Sequence, residues 1–248
     1  MTESDESPFI EREHIPTSRA TQLLRGGDIE VKGRMPYSSN MTFLVDITHR
    51  DLLAQAIYKP HRGERPLWDF PDGLYKREVA AFELSEHLGW GIVPPTVLRD
   101  GPMGIGSLQL FMPSDFSQHY LTLVEANHDH DEVFKQICAF DILANNTDRK
   151  SGHCLIGNDG RIWAIDNGLA FHAEFKLRTV IWEFAGESLP SEIVVDLEEF
   201  LDNDLPESLM KLLDPFERES MQARGRNLLI DGEFPIDHTG HRYPWPII

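Results

Sequence analysis

Two aspartates on either side of a predicted β-hairpin have the placement that metal or proton chemistry needs. Asp148 lies in a polar loop before the hairpin, and Asp166 follows its second strand. Apolar residues at 153–156 and 161–165 would form the strands, and Gly157-Asn158-Asp159-Gly160 between them is typical of a tight turn. Because a hairpin brings its two ends together, both carboxylates should face one point. Paired carboxylates there could bind Mg²⁺, or one of them could accept a proton from an attacking hydroxyl.

The order of these residues matches the catalytic region of protein kinases. In that arrangement a catalytic aspartate is followed five positions later by a metal-binding side chain, then by a hairpin and by a metal-binding aspartate before glycine. Here His153 is five positions after Asp148, and Asp166 precedes Asn167-Gly168. We therefore predict Asp148 as the catalytic carboxylate, and His153 and Asp166 as metal ligands.

The region before residue 113 contains candidates for binding a nucleotide. Lys59 at the end of a predicted third strand and Glu78 in the following helix have the positions of the lysine and glutamate that kinases use at the phosphates. The hydrophobic pattern predicts one helix in this region, over residues 74–88. It also predicts five strands, near residues 28–32, 41–45, 53–59, 92–98 and 106–112.

The turn between the first two predicted strands, residues 36–40, occupies the place of the phosphate-covering turn of kinases. It lacks the usual glycines and contains Ser38, Ser39 and Asn40 instead. Hydroxyl and backbone N–H groups of this turn would then have to contact the phosphates.

Residues 109–113 are predicted to connect two lobes, and Gln109, Phe111 and Met112 in this connector are expected to contribute to the nucleotide site. Helical periodicity and acidic helix faces after residue 113 predict a mainly helical second lobe. The expected fold class is α+β, a two-lobed protein-kinase-like fold with a small β-rich N-lobe and a larger, mainly helical C-lobe. The expected boundaries are a polar arm at residues 1–20, the N-lobe at 21–112 and the C-lobe at 113–248.

Two strings in the second lobe resemble those of a known family. Asn146-Thr147-Asp148-Arg149 and residues 165–171, Ile-Asp-Asn-Gly-Leu-Ala-Phe, are similar to the hallmark sequences of type II phosphatidylinositol 4-kinases. Tyr58-Lys59-Pro60 resembles the strand that carries that family's nucleotide lysine. Over residues 25–190 the chain resembles the phosphatidylinositol 3-/4-kinase-like branch of the kinase fold, which includes the bacterial HipA-type protein kinases. Within that branch it is similar to an actinobacterial group of kinase-like proteins, the SCO1664 type.

The resemblance implies a phosphotransferase that uses ATP with Mg²⁺ or Mn²⁺. Lys59 would contact the α- and β-phosphates, and Glu78 would orient it. Asp148 would be the catalytic aspartate, and Asp166 would be the main metal ligand.

The same resemblance implies that Asn146 and Arg149 shape the catalytic loop and that Asp141 braces it from the preceding helix. One position departs from the family, because His153 stands where the second metal ligand is usually asparagine. Imidazole can bind a divalent ion but favours softer metals than Mg²⁺. Two interpretations of His153 stay open: a metal ligand, with Mn²⁺ preference or weakened catalysis, and a residue that only forms hydrogen bonds within the loop.

The main functional hypothesis is a kinase that transfers the γ-phosphate of ATP to a hydroxyl of an unidentified acceptor. The acceptor is a protein or a small molecule, including a lipid or inositol head group, and AMP transfer is a variant of the same chemistry. The alternative is a nucleotide-binding pseudokinase that regulates a partner. The glycine-poor turn and His153 are the reasons for keeping that alternative.

Charge and composition exclude several other classes. The 248 residues carry 23 basic and 41 acidic side chains, which gives a net charge of −18. Such a field disfavours binding to nucleic acid or to an anionic membrane. No apolar run approaches the roughly 20 residues of a membrane helix, the acidic N-terminus lacks a signal-peptide pattern, and two cysteines are too few for a disulfide framework. We expect a cytoplasmic protein with no nucleic-acid partner and no integral membrane association.

Most of the negative charge falls in the predicted second lobe. Residues 111–248 carry a net charge of −14, and residues 183–219 account for −10 of it. An acidic segment of this kind is typical of solvated helix faces. The acidity therefore permits a local anion such as ATP, and the lack of strongly basic patches favours a soluble acceptor.

Overall fold

The computed structural model describes residues 9–10, 12–36 and 38–248. Within these residues, eight strands form two antiparallel sheets, with the orders β1-β2-β3-β5-β4 and β6-β7-β8. The first sheet contains β1 Asp28–Arg34, β2 Phe43–His49, β3 Leu52–Pro60, β4 Thr96–Gly101 and β5 Gly104–Leu110. The second contains β6 Ser114–His119, β7 Cys154–Gly157 and β8 Ile162–Ala164. The helices are α1 Thr17–Gly26, α2 Leu74–His87, α3 Tyr120–Ala126, α4 Asp131–Ala144, α5 Ser191–Asp202, α6 Glu207–Leu212 and α7 Pro215–Asp231.

Two hydrophobic cores divide the fold into two lobes. One core lies on the five-stranded sheet and includes Val45, Tyr58 and Leu108. The other lies among the helices and includes Phe134 and Phe140 of α4. Because burial of apolar surface is the main favourable term in folding, each lobe has its own source of stability.

Helix α2 is held against both lobes. Its buried apolar face, which includes Ala80 and Phe82, packs into the helical core although the helix follows β3 in the chain. The buried Arg77 forms an ion pair with the buried Glu217 of α7. The carboxylate of Glu64 accepts hydrogen bonds from the first backbone N–H groups of the helix, at 3.2, 3.0 and 2.7 Å. A carboxylate at this end also suits the helix dipole. Together, the contacts of Arg77 and Glu64 fix the orientation of α2 and its position along the helix axis.

The structure confirms the predicted hairpin, the helix after β3 and the mixed α+β class. In the hairpin, Cys154 is opposite Ala164 and Ile156 is opposite Ile162. Gly160 closes the turn with a φ of 78°, a left-handed conformation that glycine adopts without strain.

The fourth strand begins later than the predicted residue 92, at Thr96. Pro94 and Pro95 precede it, and proline cannot donate a ladder hydrogen bond. The backbone of Ile92 is used elsewhere, because its carbonyl accepts from Ala164 N at 2.8 Å and its N–H donates to Ser85 Oγ at 2.9 Å. This segment therefore joins α2 to the second sheet.

The polar arm was predicted to extend over residues 1–20, but the structure has a helix from Thr17 onwards. Residues 1–8 and 11 lie outside the described residues, and α1 already begins at Thr17. Ala20, Leu23 and Leu24 of α1 are buried in the core of the five-stranded sheet. The apolar pattern of α1 is short. Pro16 before the helix and Gly27 after it are residues that commonly mark helix boundaries, and they were the available signal.

Among the described residues, none of the helices has the length and apolar character required to cross a bilayer.

Candidate active site

A cavity of about 240 Å³ lies where β3, α2, the loop after α4 and the segment after β8 meet. Its walls contain eight residues predicted from the sequence: Ser38, Ser39, Asn40, Lys59, Glu78, Asp148, His153 and Asp166. Residues far apart in the chain are thus brought to one place, and most of them are polar or charged.

Lys59 is the cation at the centre of this cavity. Its Nζ forms ion pairs with Glu78 and, at 2.7 Å, with Oδ1 of Asp166. Burial alone would lower the pKa of Lys59, but the two carboxylates outweigh burial and raise that pKa. Lys59 is therefore charged at any physiological pH. Glu78 is almost fully buried, so its carboxylate depends on this partner for its charge.

Asp166 holds a left-handed backbone conformation, with a φ of 56°. Such a conformation costs a residue other than glycine on the order of 1 kcal/mol or more, so neighbouring contacts must hold it. The next residue supplies them, because Asn167 N donates to Glu78 Oε2 at 3.1 Å and the Asn167 side chain accepts from Arg149 at 2.6 Å. Lys59 lowers the pKa of Asp166, which keeps this half-exposed carboxylate ionised.

The loop with Asp148 begins at Asn145, which ends α4 in a left-handed conformation with a φ of 52°. The buried Asn146 then accepts a hydrogen bond from Asp148 N at 3.0 Å through Oδ1, which fixes the turn. Asp148 is partly exposed to the cavity, and its Oδ2 lies 3.4 Å from Nζ of Lys150. Burial raises the pKa of Asp148 to about 6, so the group is mostly ionised at pH 7 and can still accept a proton.

Arg149 lies beneath the cavity and is fully buried, as is its partner Asp141 of α4. Its guanidinium contacts both oxygens of Asp141 at 2.9–3.1 Å, the carbonyl of Ile165 at 2.6 Å and the side chain of Asn167 at 2.6 Å. One side chain thus connects α4, the loop and the segment that carries Asp166. The roles of Asn146, Arg149 and Asp141 in shaping a catalytic loop stay a prediction, and these contacts are the structural basis on which it rests.

His153 faces Asp166 across the cavity, with 3.5 Å between Nε2 and Oδ2 of the carboxylate. Burial lowers the pKa of His153 to about 4, so the ring is neutral near pH 7. Its Nδ1 accepts a hydrogen bond from Lys150 N at 3.3 Å, which assigns the ring proton to Nε2. In this tautomer His153 is a hydrogen-bonding loop residue, and ligation of a metal through Nε2 would require the ring proton to move to Nδ1.

The donor set of the cavity suits a divalent cation through Asp166. Its carboxylate is ionised, faces the cavity and offers oxygen, the ligand that Mg²⁺ and Mn²⁺ prefer. His153 would add a nitrogen ligand only in its other tautomer.

Gln109, Phe111 and Met112 of the predicted connector do not line this cavity. The Gln109 amide donates to Thr96 Oγ1 at 2.9 Å, and the ring of Phe111 stacks on Phe9 at 4.7 Å between centroids. Arg12 contacts both the carbonyl of Phe111 and the sulfur of Met112. Their contribution to a nucleotide site remains a prediction.

Sequence reasoning missed two residues at the cavity wall. Glu64 lines the cavity and holds the start of α2, but it lies ten residues ahead of the helix, where no local pattern indicates a cap. Lys150 also lines the cavity, beside Asp148. Its position next to Asp148-Arg149 was the available signal.

A second group of donor atoms lies beside the cavity, where one atom each of His61, Glu64 and Asp72 falls within 4.8 Å of the others. Glu64 is already occupied by backbone N–H groups, and His61 Nε2 contacts Asp72 at 2.9 Å. These contacts account for the cluster as part of the loop before α2.

The fold is similar to those of solved kinases. A crystal structure of the Golgi casein kinase with Mn/ADP bound matches with a TM-score of 0.57 and 16% identity, over 94% of this chain and 80% of that chain. A structure of hydra Fam20 with sugar matches with a TM-score of 0.57 and 13% identity, over 87% of this chain and 88% of that chain. At this identity the likeness concerns the fold, and the protein has a two-lobed kinase-like fold, as expected.

Sequence comparison defines the family. No family model matches the chain. Protein Rv2133c of Mycobacterium tuberculosis is 39% identical in an alignment that covers 90% of this chain and 94% of that protein. The chain therefore belongs to the same family as Protein Rv2133c.

The contacts of Arg149 lead to a prediction about stability. Arg149→Met would leave Asp141 buried without its partner, so the free energy of unfolding should fall by about 3–5 kcal/mol. Equilibrium denaturation followed by tryptophan fluorescence measures this change.

The matched control is Lys211→Met, because Lys211 and Glu207 form an exposed i,i+4 pair on α6. This variant should unfold at the denaturant concentration of the unmodified protein. A free energy of unfolding for Arg149→Met within about 1 kcal/mol of the unmodified protein would contradict the assigned role.

Proposed function

We propose that this protein is an ATP-dependent phosphotransferase that transfers the γ-phosphate to a hydroxyl of an acceptor. The observation that carries the proposal is the contact of Lys59 with both Glu78 and Asp166 at a cavity that also exposes Asp148. This set of charges is the one that phosphoryl transfer uses, since it provides a cation for phosphates, a carboxylate for a metal and a carboxylate for the acceptor. The kinase-like fold supports the same conclusion.

The phosphates would lie against Lys59 and the turn before β2. Ser38 and Ser39 line the cavity, and Ser38 Oγ lies 2.8 Å from Thr42 Oγ1, so the turn presents hydroxyl groups where kinases have glycines. Asn40 is tied to the loop after β3, because its Oδ1 accepts from Arg65 N at 2.9 Å. The turn is thus connected to the wall that contains Glu64.

Mg²⁺ or Mn²⁺ would be held by Asp166, and His153 could join as a ligand in its other tautomer. When bound, the metal supplies positive charge to the phosphate oxygens. Among the chain's own groups, Asp148 would orient the acceptor hydroxyl and take its proton, while the oxygen forms a bond to the γ-phosphorus and ADP leaves. Lys150 beside it keeps the carboxylate in place.

The acceptor that the surface favours is a soluble molecule, and we propose a protein hydroxyl before a lipid or inositol head group. Lys176 after the Asp166 segment is tied to the loop before α2, since its Nζ donates to the Asp69 carbonyl at 2.6 Å. Lys59 and Arg149 are also engaged with carboxylates. Few cations near the cavity therefore remain to hold an anionic membrane surface.

Membership of the phosphatidylinositol 3-/4-kinase-like branch, and of its actinobacterial SCO1664-type group, is part of this proposal and rests on the strings around Asp148 and Asp166. A cytoplasmic location is proposed as well, because Cys138 and Cys154 are both buried free thiols, which suits a reducing compartment.

Asp166→Ala tests the proposal directly. The purified protein should turn over ATP with Mg²⁺ or Mn²⁺, and the variant should lose turnover by on the order of 100-fold or more, because its main metal ligand is gone. Transfer of radiolabelled phosphate from ATP to protein and lipid fractions of a cell extract provides the readout.

Asp202→Ala removes an exposed carboxylate at the end of α5 and should leave turnover unchanged. Equal turnover by the unmodified protein and Asp166→Ala would refute the assignment.

The alternative is a pseudokinase that binds ATP and regulates a partner. The hydrogen bond from Lys150 N to His153 Nδ1 favours it, since in that tautomer the second metal position has no ligand. It predicts that ATP raises the melting temperature without phosphoryl transfer to any acceptor.

His153→Asn distinguishes the two functions. Asparagine offers an oxygen ligand, so under the enzyme proposal turnover with Mg²⁺ should rise relative to turnover with Mn²⁺. A gain from no turnover to measurable turnover would support the pseudokinase for the natural chain. A large loss with both metals would show instead that the imidazole is the native ligand and that the tautomer assigned above changes when the metal binds.

A further inference from the structure

A second cleft, of about 410 Å³, lies between α1 and the turn that connects β2 to β3. We name it the α1 cleft. Its walls include Arg19, Arg25 and Arg50, with Asp51 as the acidic residue in its lining. It has no lining residue in common with the cavity that contains Lys59.

Part of the floor of the α1 cleft is apolar. Leu23, at 1% exposure, forms part of it. The ring of His49 lies close to Gly26, and both residues line the cleft. Arg50 has a left-handed φ of 57°, which fixes the tight turn between β2 and β3 at the rim.

The three arginines of the α1 cleft are unpaired and line the same cleft. Within the described part of the chain, their side chains form no hydrogen bond, ion pair or ring contact, and all three are exposed. Other cations in the described part of the chain form ion pairs with carboxylates, for example Lys32 with Asp46, Arg77 with Glu217 and Lys135 with Glu187. In a chain with a net charge of −18, three unpaired arginines and one aspartate give this cleft a locally positive lining.

We propose that the α1 cleft binds a phosphate monoester. Guanidinium groups match the geometry of phosphate oxygens and bind them in a bidentate manner. Mutual repulsion among three arginines around one cleft is relieved when a dianion enters. The volume suits a small organic phosphate or a phosphorylated side chain, whose carbon atoms would contact the floor at Leu23. The proposal does not depend on the kinase assignment, because the two sites share no residue.

The test uses the full chain and follows the His49 ring signal by NMR during titration with inorganic phosphate, at constant ionic strength set with chloride. His49→Gln identifies the signal. We expect a saturable shift of the His49 signal, because that ring lies in the α1 cleft. The same titration with a phosphoserine peptide and its unphosphorylated twin distinguishes the source: tighter binding of the phosphopeptide indicates a protein ligand, and equal affinity indicates a small free phosphate.

The variant Arg19→Gln/Arg25→Gln keeps good helix formers on the exposed face of α1 and should weaken phosphate binding at least tenfold. Arg50→Asn, which tolerates a left-handed φ, should also weaken it. Arg226→Gln on α7 removes another exposed arginine and should bind phosphate as the unmodified chain does. An unchanged His49 signal, or equal weakening in Arg226→Gln and the double variant, would overturn the proposal.

Discussion

The buried ion pair between Arg149 and Asp141 is the interaction on which the rest of the site depends. Both side chains are completely buried, and removing two charges from water is costly unless they are paired and their remaining hydrogen-bonding groups are satisfied. Here Asp141 also accepts from Thr179 Oγ1 at 3.2 Å, and Arg149 uses its other N–H groups on Ile165 and Asn167. The pair is therefore part of a network whose members support one another.

From this pair a continuous chain of contacts leads to Lys59. Arg149 holds the side chain of Asn167, whose backbone N–H binds Glu78, which in turn pairs with Lys59. The same contacts hold the left-handed turn at Asp166. Contacts that begin at Asp141 on α4 in the second lobe thus determine the position of Lys59 on β3 in the first lobe. These contacts pass through the intervening residues and do not join α4 to β3 directly. Catalysis by positioning requires this kind of rigid support, since small displacements of reacting groups are costly.

Much of the site could be predicted because its chemistry is encoded in local strings. In the hairpin turn, the aspartates on either side of it and the strand of Lys59, the residue types and their spacing in the sequence are both informative. The structure brings Asp148, Asp166 and Lys59 to one cavity.

Other features could not be predicted from local sequence. Helix α1 was missed because its apolar stripe is short, and its burial depends on a sheet formed later in the chain. Glu64 could not be found, because its hydrogen bonds to α2 follow from the path of a loop. The tautomer of His153 depends on a backbone N–H of Lys150, which no pattern of residue types reveals. The orientation of Phe111 depends likewise on the contact with Phe9.

Under the proposed function, this network holds Lys59 and Asp166 in position for a nucleotide and a metal. A crystal structure of the protein with a slowly hydrolysed ATP analogue and Mn²⁺ tests it most directly. We expect the phosphates to occupy the cavity beside Lys59, with Mn²⁺ bound to Asp166 and the contacts of Arg149 unchanged. A nucleotide bound elsewhere, or a cavity without nucleotide at saturating analogue concentration, would contradict it.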